Sequence, residues 1–405
     1  MIDHREIFDQ SLKNTIKIKQ RKILKMAKEK ILGKTEGNKA QSLMDKILKN
    51  STIKTACMLE DSQVLKETKP IKTRVPVLNL ALSGKIKGGM VPGNIISIAG
   101  ESRNFKSSLG ILCVAEFLKA SEENIAIFLD SEFGTRPNYF ESVGCDTKRI
   151  IHIPFTNINE LKKEMSNILF NQISDSDAGK VIIFCDSIGS SASLNEVNTS
   201  LDPDKDSADL SRAREIKSLY RIITPIIALK KVIFIGINHV YNSLSFISTT
   251  TMSGGSGGIL SSSIIIFMSK SKLKEESEHR GYFFNMRINK SRDIRDNVVI
   301  PLTVRFNGGI ANYSGCAELA ESFNIIEKCR EGRKLAYSYT TLNNEVLKVL
   351  ETDIDTDENF WETVFKETDL EYRIENFYKL NGTQVKISSL ETDEPSLLID
   401  DKDED

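Results

Sequence analysis

The chain has 405 residues, of which 40% are apolar and 27% charged, and its formal net charge is −1. This composition is that of an ordinary globular protein and excludes a wholly disordered chain. Its longest apolar runs fall far short of the roughly 20 residues that span a bilayer, and the first ten residues lack the apolar core of a secretion signal. Six scattered cysteines without a CxxC pair are typical of reduced thiols. We therefore expect a cytoplasmic protein with no membrane partner.

The small net charge conceals a strong asymmetry. Residues 11–60 contain thirteen Lys and Arg against four Asp and Glu, whereas residues 391–405 contain eight carboxylates and one lysine. A basic front and an acidic tail suit a chain that contacts a polyanion and screens that surface when it is unoccupied. Solvated helix faces and a tail that only improves solubility are the alternative.

The elements change character along the chain. Residues 10–70 predict helices rich in lysine, and TKPIKTRVP at 68–76 predicts an extended connector, because each proline disfavours helix in the preceding residue. After it, apolar runs alternate with helical stretches. The predicted helices are 106–120, 157–173 and 207–230, and the predicted strands are 95–99, 125–129, 149–153, 181–185, 232–237, 264–268, 282–288 and 298–306.

Continuous apolar strands separated by helices predict an α/β fold with a mostly parallel sheet covered on both faces. The last strands are separated by a short polar turn and predict an antiparallel extension of that sheet. We place a basic helical region at 1–70, the core at 71–315, a small α/β domain at 316–390 and a disordered acidic tail at 391–405.

A phosphate-binding loop is predicted where the first strand meets the next helix, in the sequence GESRNFKS. Backbone N–H groups and the helix N-terminus would hold phosphate oxygens, the lysine would reach the β- and γ-phosphates, and the hydroxyl would bind Mg²⁺. Phe105 stands where the strict pattern has glycine, so the motif alone is weak. The predicted nucleotide-binding residues are Gly100, Glu101, Ser102, Arg103, Asn104, Phe105, Lys106, Ser107 and Ser108.

Acidic residues at two later strands strengthen this prediction. Asp186 ends the run VIIFCD, and Glu132 follows the run IAIFLD. The carboxyl ends of parallel strands converge on the ligand edge of the sheet, so Asp186 would help Ser107 to hold Mg²⁺. Glu132 would activate water against the γ-phosphate. The alternative is that both residues are ordinary acidic residues at strand ends with no catalytic or metal-binding role.

Two polar segments predict contacts with a nucleic acid. Asn238 and His239 close a strand and precede TTTMSGGSGG, whose glycines let backbone N–H groups approach phosphates closely. A second polar segment, 190–206, precedes a helix that carries three arginines. A disordered Gly/Ser linker is the alternative for the first segment. The predicted DNA-binding residues are Arg212, Arg214, Arg221, Thr250, Gly254, Gly255 and Ser256.

Several motifs together resemble RecA-family strand-exchange proteins, and within that family the recombinases of T-even bacteriophages. They are GESRNFKS, DSEFG at 130–134, VIIFCDSIGS, INH at 237–239, TTTMSGG and NKSR at 289–292, together with ALSG at 81–84 and RIITP at 221–225. The resemblance covers roughly residues 70–330. It implies a RecA-like ATPase core with two DNA-binding loops, which uses ATP and Mg²⁺ and polymerises through the first 70 residues.

The resemblance also implies roles for individual residues. Glu132 matches the catalytic glutamate, Tyr139 falls where the bacterial family stacks a tyrosine on adenine, and Lys290 and Arg292 match a pair that reaches the ATP of the neighbouring protomer. His239 stands where a glutamine senses the γ-phosphate, and Arg136 replaces an aspartate near the adenine. The first departure should make the nucleotide switch different in detail from the bacterial one, and the second bears on which base is selected.

The function implied is a DNA-dependent ATPase and recombinase that forms a helical filament on single-stranded DNA and pairs it with homologous duplex DNA. It would act in recombination, repair and recombination-dependent replication in the cytoplasm of an infected host cell. A loading mediator and a single-stranded DNA-binding protein are expected partners. A hexameric helicase of related fold and a non-catalytic DNA-binding mediator with a decayed site are the alternatives.

Overall fold

The computed structural model describes residues 36–200, 211–242, 250–272, 281–306 and 309–380. The predicted acidic tail and the first half of the basic region therefore lie outside the described residues. The chain divides into two compact units, Met1–Glu67 and Thr68–Asp405.

Both units contain helices, whereas all of the described strands belong to the second. The described helices are α1 (Glu36–Lys49), α2 (Pro76–Ser83), α3 (Lys106–Ala120), α4 (Pro137–Ser142), α5 (Ile158–Asn167), α6 (Leu194–Ser200), α7 (Ser211–Leu229), α8 (Ser256–Ser261), α9 (Cys316–Ser322), α10 (Glu358–Glu367) and α11 (Leu370–Tyr378). The described strands are β1 (Ile95–Gly100), β2 (Ile125–Asp130), β3 (Ile150–Pro154), β4 (Val181–Asp186), β5 (Ile233–Asn238), β6 (Val240–Asn242), β7 (Thr250–Met252), β8 (Ile264–Lys272), β9 (Gly281–Lys290), β10 (Val299–Arg305), β11 (Glu327–Glu331), β12 (Lys334–Thr340) and β13 (Val346–Leu350).

The first unit is less helical than the sequence predicts. Beyond α1, its described residues form only a short 3₁₀ turn at Leu59–Asp61, so the helix prediction for residues 10–70 is wrong over residues 50–67. Local side-chain bonds end the helix: the Asn50 amide donates to the Lys46 carbonyl at 2.9 Å, and Ser51 Oγ accepts from the Ile53 N–H at 3.2 Å. Such bonds compete with the helical backbone pattern.

The second unit is built on an eight-stranded sheet in the order β10-β9-β8-β1-β5-β4-β2-β3. Six strands run parallel, and β9 and β10 are antiparallel to their neighbours at one edge. This confirms the mostly parallel sheet with an antiparallel extension.

Both faces of the central strands are buried, which explains their continuous apolar sequences. In β4, Ile182 and Phe184 join a core cluster that also contains residues of α2 and α3. The alternate residues Val181 and Ile183 join a second cluster with residues of α5 and α7. The described helices thus cover both faces of the sheet, whereas the loops at the carboxyl ends of its strands are not covered by them.

The described part of the carboxyl-terminal region adds the three-stranded sheet β11–β13 and the helices α9 to α11. Trp361 of α10 is fully buried in the same cluster as α2 and α3, and its indole N–H donates to the Ile354 carbonyl at 2.6 Å. Within the described residues, no helix is long and apolar enough to cross a membrane.

A buried carboxyl group lies where this region meets the main sheet. Glu318 of α9 accepts a hydrogen bond from the Thr303 hydroxyl of β10 at 3.2 Å, while its Oε2 atom is buried without a hydrogen-bond partner. Burial, together with the nearby Asp355 carboxylate, raises the pKa of Glu318 to about 7. A protonated Glu318 therefore fits this environment better than the charged form does.

We predict that Glu318→Gln stabilises the protein at pH 8 but has little effect near pH 4.5. Between these limits the unfolded chain loses the Glu318 proton before the folded protein does, so the stability of the wild type falls as pH rises. The difference in free energy of unfolding should reach up to about 3 kcal/mol at pH 8. Thermal unfolding across this range measures it.

Glu321→Gln is the matched control, because it removes the same charge from the same helix at a position that is less buried and faces Lys328. A stability difference for Glu318→Gln that does not change with pH would contradict the assignment.

Candidate functional site

The loop between β1 and α3 is held against β8. A Cβ atom on Gly100 would lie 2.6 Å from the Met268 carbonyl oxygen, so only glycine fits at the end of β1. The Asn104 amide donates to the same carbonyl oxygen at 3.0 Å. The loop is therefore fixed to the neighbouring strand at its start and near its end.

Phe105 takes the place of a glycine in both sequence and geometry. Phe105 immediately precedes the first residue of α3. Its backbone is in the left-handed conformation (φ 61°), which residues other than glycine rarely adopt. Its ring packs on Phe284 of β9 with the ring centroids 5.6 Å apart. We infer that this packing offsets the cost of the unfavourable backbone conformation.

Lys106 opens α3 with its side chain largely buried in the loop. Its ammonium group donates to the Glu101 carbonyl oxygen at 2.6 Å. Burial lowers the Lys106 pKa, while the nearby carboxylates of Glu132, Asp186 and Glu101 act in the opposite direction. An ammonium group in this position, at the first residue of α3, suits a phosphate group.

Ser107 and Asp186 form the part of the site that fits a divalent cation. Burial raises the Asp186 pKa to about 6, and the neighbouring Ser107 hydroxyl acts in the opposite direction. The Oδ1 atom of Asp186 is buried without a hydrogen-bond partner. Hydroxyl and carboxylate oxygens are the ligand type that Mg²⁺ prefers, so these two residues fit Mg²⁺ or a water bound to it.

Glu132 and His239 meet at the mouth of the same site. His239 Nε2 lies 3.2 Å from Glu132 Oε1, and this hydrogen bond is the main reason that the pKa of Glu132 is lowered. Glu132 is therefore a carboxylate at neutral pH. A charged carboxylate that is half exposed beside a phosphate site can accept a proton from water.

The tips of β2 and β4 are joined by the serine that follows β2. The Ser131 N–H donates to the Asp186 carbonyl at 2.9 Å, and its hydroxyl donates to the Ser187 carbonyl at 2.8 Å. This contact fixes the turn that carries Glu132 relative to Asp186.

These elements enclose a cavity of about 260 Å³, which is open on one side. The cavity brings together residues from the β1–α3 loop and from the carboxyl ends of β2, β4 and β5. Its lining includes Ser102, Arg103, Asn104, Phe105, Lys106, Ser107, Ser108, Glu132, Asp186 and His239. Tyr139 lies outside this lining, on α4, where 54% of its surface is exposed.

The predicted arginine helix is α7. Arg214 and Arg221 are exposed on it, whereas Arg212 is partly buried and hydrogen-bonds the Gly189 carbonyl, in the segment after Asp186. Arg212 thus connects α7 to the loop that follows β4. The polar segment before α7 is not entirely loop, because residues 194–200 form the short helix α6.

The glycine-rich segment packs closely on α7. Its first part continues from the β6–β7 hairpin, and its second part forms α8. A Cβ atom on Gly257 would lie 2.5 Å from the Lys217 Cα atom, and one on Gly258 would lie 3.1 Å from the Tyr220 ring. These two glycines are required by helix packing, which the disordered-linker alternative does not explain.

Gly254 and Gly255 precede α8 and both have positive φ angles, 94° and 76°. Ser256, at the start of α8, is exposed. Thr250 begins β7. The predicted DNA-binding residues of this segment and of α7 therefore lie on adjacent elements.

Lys290 ends β9 and contacts α8 of its own chain. Its ammonium group donates to the carbonyls of Ile259 and Leu260, at 2.8 and 2.7 Å. Burial and then the Arg292 charge lower the Lys290 pKa, and Arg292 itself is exposed. Neither side chain lines the cavity beside Lys106 in its own chain.

Some residues that position the site were not singled out from the sequence. Ser131 and Ser187 join two strand tips, Gly189 accepts from Arg212, and Tyr220 lies buried between α8 and β5. Ser131, Ser187 and Gly189 could have been found from the sequence, because they are small residues that follow β2 and β4.

Comparison with known proteins identifies what this arrangement is similar to. A family model for the RecA N-terminal domain matches residues 39–311. The chain is 33% identical over 344 residues to the recombination and repair protein of Enterobacteria phage T4, covering 84% of this chain and 86% of that protein. It is 23% identical over 340 residues to Protein RecA of Trichodesmium erythraeum, covering 79% and 89%. These matches confirm the resemblance expected from the motifs.

We predict that Phe105→Ala destabilises the protein more than Phe105→Gly does. Both variants lose the packing on Phe284, but only alanine retains a Cβ atom at a positive φ, which costs about 1 kcal/mol. Chemical denaturation of the two variants and of the wild type measures the order. Leu109→Ala and Leu109→Gly, in the interior of α3, are the control pair, in which glycine should be the less stable. Equal stability of the two Phe105 variants would contradict the prediction.

Proposed function

The chain belongs to the RecA family of recombination and repair proteins, and we propose that it hydrolyses ATP in the cavity between β1 and α3 to control its binding to single-stranded DNA. The observation that carries this proposal is the convergence of Lys106, Ser107, Glu132 and Asp186 on one cavity. All four side chains have the chemical type that phosphoryl transfer to water requires. A mediator with a decayed nucleotide site would have no reason to keep them together.

Each residue has a distinct part in the proposed reaction. Lys106 and the loop N–H groups hold the β- and γ-phosphates, and Ser107 and Asp186 would hold Mg²⁺, which supplies positive charge next to the phosphates. Glu132, kept ionised by His239, orients the attacking water and accepts its proton. Release of the γ-phosphate then removes a charged group from beside His239. Tyr139 is proposed as the surface on which the adenine stacks.

The same His239 offers a route from the nucleotide to the DNA. Its carbonyl oxygen accepts from the Ser253 N–H at 2.8 Å, directly before Gly254 and Gly255. A shift of His239 on hydrolysis would therefore move the glycine-rich segment. We propose that Arg212, Arg214 and Arg221 lie with Thr250, Gly254, Gly255 and Ser256 along the DNA backbone and contact phosphates without reading bases.

In the proposed assembly, protomers polymerise on single-stranded DNA as a helical filament, which then pairs that strand with a homologous duplex. Arg292 and Lys290 reach the ATP of the neighbouring protomer. In the chain alone, Lys290 donates to two carbonyls of α8. Contact with that ATP would therefore replace these carbonyls by phosphate oxygens as the partners of Lys290. A loading mediator and a single-stranded DNA-binding protein are proposed partners in the cytoplasm of an infected host cell.

We predict that Glu132→Gln still binds ATP but hydrolyses it about 10²- to 10⁴-fold more slowly, because the amide cannot accept a proton from water. Lys106→Ala should lose hydrolysis while remaining folded, since it removes a charge from the phosphates. Phosphate release with saturating single-stranded DNA measures both. Glu122→Gln is the control, because Glu122 is an exposed carboxylate just beyond the far end of α3. A normal rate for Glu132→Gln would contradict its assignment as the base.

We predict that Arg214→Ala and Arg221→Ala each weaken binding to single-stranded DNA evenly across sequences. Each should reduce the slope of log affinity against log salt by about 0.7, which corresponds to one lost phosphate contact. Lys366→Ala, an exposed charge on α10, controls for the general effect of net charge. Unchanged slopes in both arginine variants would place the DNA elsewhere.

A further inference from the structure

Asp130, the last residue of β2, holds the turn that carries Glu132. Its Oδ1 atom accepts from the backbone N–H of Glu132 at 3.0 Å and from that of Phe133 at 2.9 Å. Phe133 has a positive φ of 56°, so the turn is sharp and depends on such bonds. The position of Glu132 therefore depends directly on the orientation of the Asp130 carboxylate.

The other oxygen of Asp130 is held by His152 of the edge strand β3. His152 Nε2 lies 3.3 Å from Asp130 Oδ2, and the imidazole stacks on Phe128 with ring centroids 5.3 Å apart. The histidine side chain is 52% exposed, whereas that of Asp130 is 4% exposed. An imidazole at the surface thus reaches a buried carboxylate and fixes its rotation.

This arrangement separates Asp130 from a direct role with the nucleotide. Both of its oxygens already have partners in the protein, in contrast to Asp186, whose Oδ1 atom has none. Asp130 is not among the residues that line the cavity. Its contribution is therefore to the placement of Glu132 and not to the binding of Mg²⁺.

We propose that His152 is a positioning residue for Glu132, which acts through the Asp130 carboxylate and the backbone of the turn. The proposal rests on the proposed function, since it requires Glu132 to act on the attacking water. When the imidazole is absent, the Asp130 carboxylate keeps only the two backbone bonds to its Oδ1 atom, so its orientation is less restricted and the turn loosens. Because small displacements of a reacting group have large effects on rate, the loss should fall on turnover and not on ATP affinity.

The test compares His152→Phe with His152→Gln in the full-length protein. Phenylalanine keeps a ring that can stack on Phe128 but has no donor for Asp130. Glutamine keeps an N–H donor at nearly the same distance as Nε2 and gives up the ring. We expect His152→Phe to lower kcat by roughly 3- to 10-fold with KM for ATP unchanged, and His152→Gln to restore most of kcat.

A second arm places His152→Phe in the Glu132→Gln background. If the imidazole acts only through Glu132, it should cause no further loss there, because residues that act as a unit are not additive. A normal kcat for His152→Phe, a failure of glutamine to restore it, or the same loss in both backgrounds would overturn the proposal. If Glu132→Gln alone hydrolyses ATP normally, the proposed function fails first, and the two failures are thereby distinguished.

Discussion

The parallel alignment of β1, β5, β4 and β2 is the constraint on which the rest of the site depends. Pairing places Ala99 beside Asn238 and Asp130 beside Asp186, so that the residues after each strand emerge at one edge. No single loop contains the site. It forms because four strands of similar length end together, and the two buried faces of the sheet fix that register.

Charge balance inside the cavity follows from the same alignment. The Lys106 cation lies among Asp186, Glu132 and Glu101, and burial disfavours both the charged lysine and the charged Asp186. Such a set is poorly satisfied on its own, because desolvated charges need close partners. Under the proposed function, a phosphate chain with a divalent cation would supply charges of both signs to this set. The same poorly satisfied charges would then favour a nucleotide that carries its metal.

Many residues of the candidate site could be predicted from the sequence. The contacts that position them could not, for physical reasons. The predicted helix 106–120 matches α3, and the Asp186 and Glu132 positions follow from apolar runs that end in acids. In contrast, Gly257 is a glycine because Lys217 lies against it, and His152 reaches Asp130 only because β3 pairs with β2. Contacts of this kind depend on the order of strands and helices in space, which periodicity does not encode.

The proposed function couples ATP hydrolysis at the β1–α3 cavity to the binding of single-stranded DNA. Titration of single-stranded DNA into a steady-state ATPase assay, with electron microscopy of the same mixtures, tests it most directly. We expect hydrolysis to rise and saturate with DNA, and filaments to form on the DNA when ATP is present. Hydrolysis that is indifferent to DNA, or its absence together with a lack of filaments, would contradict this claim.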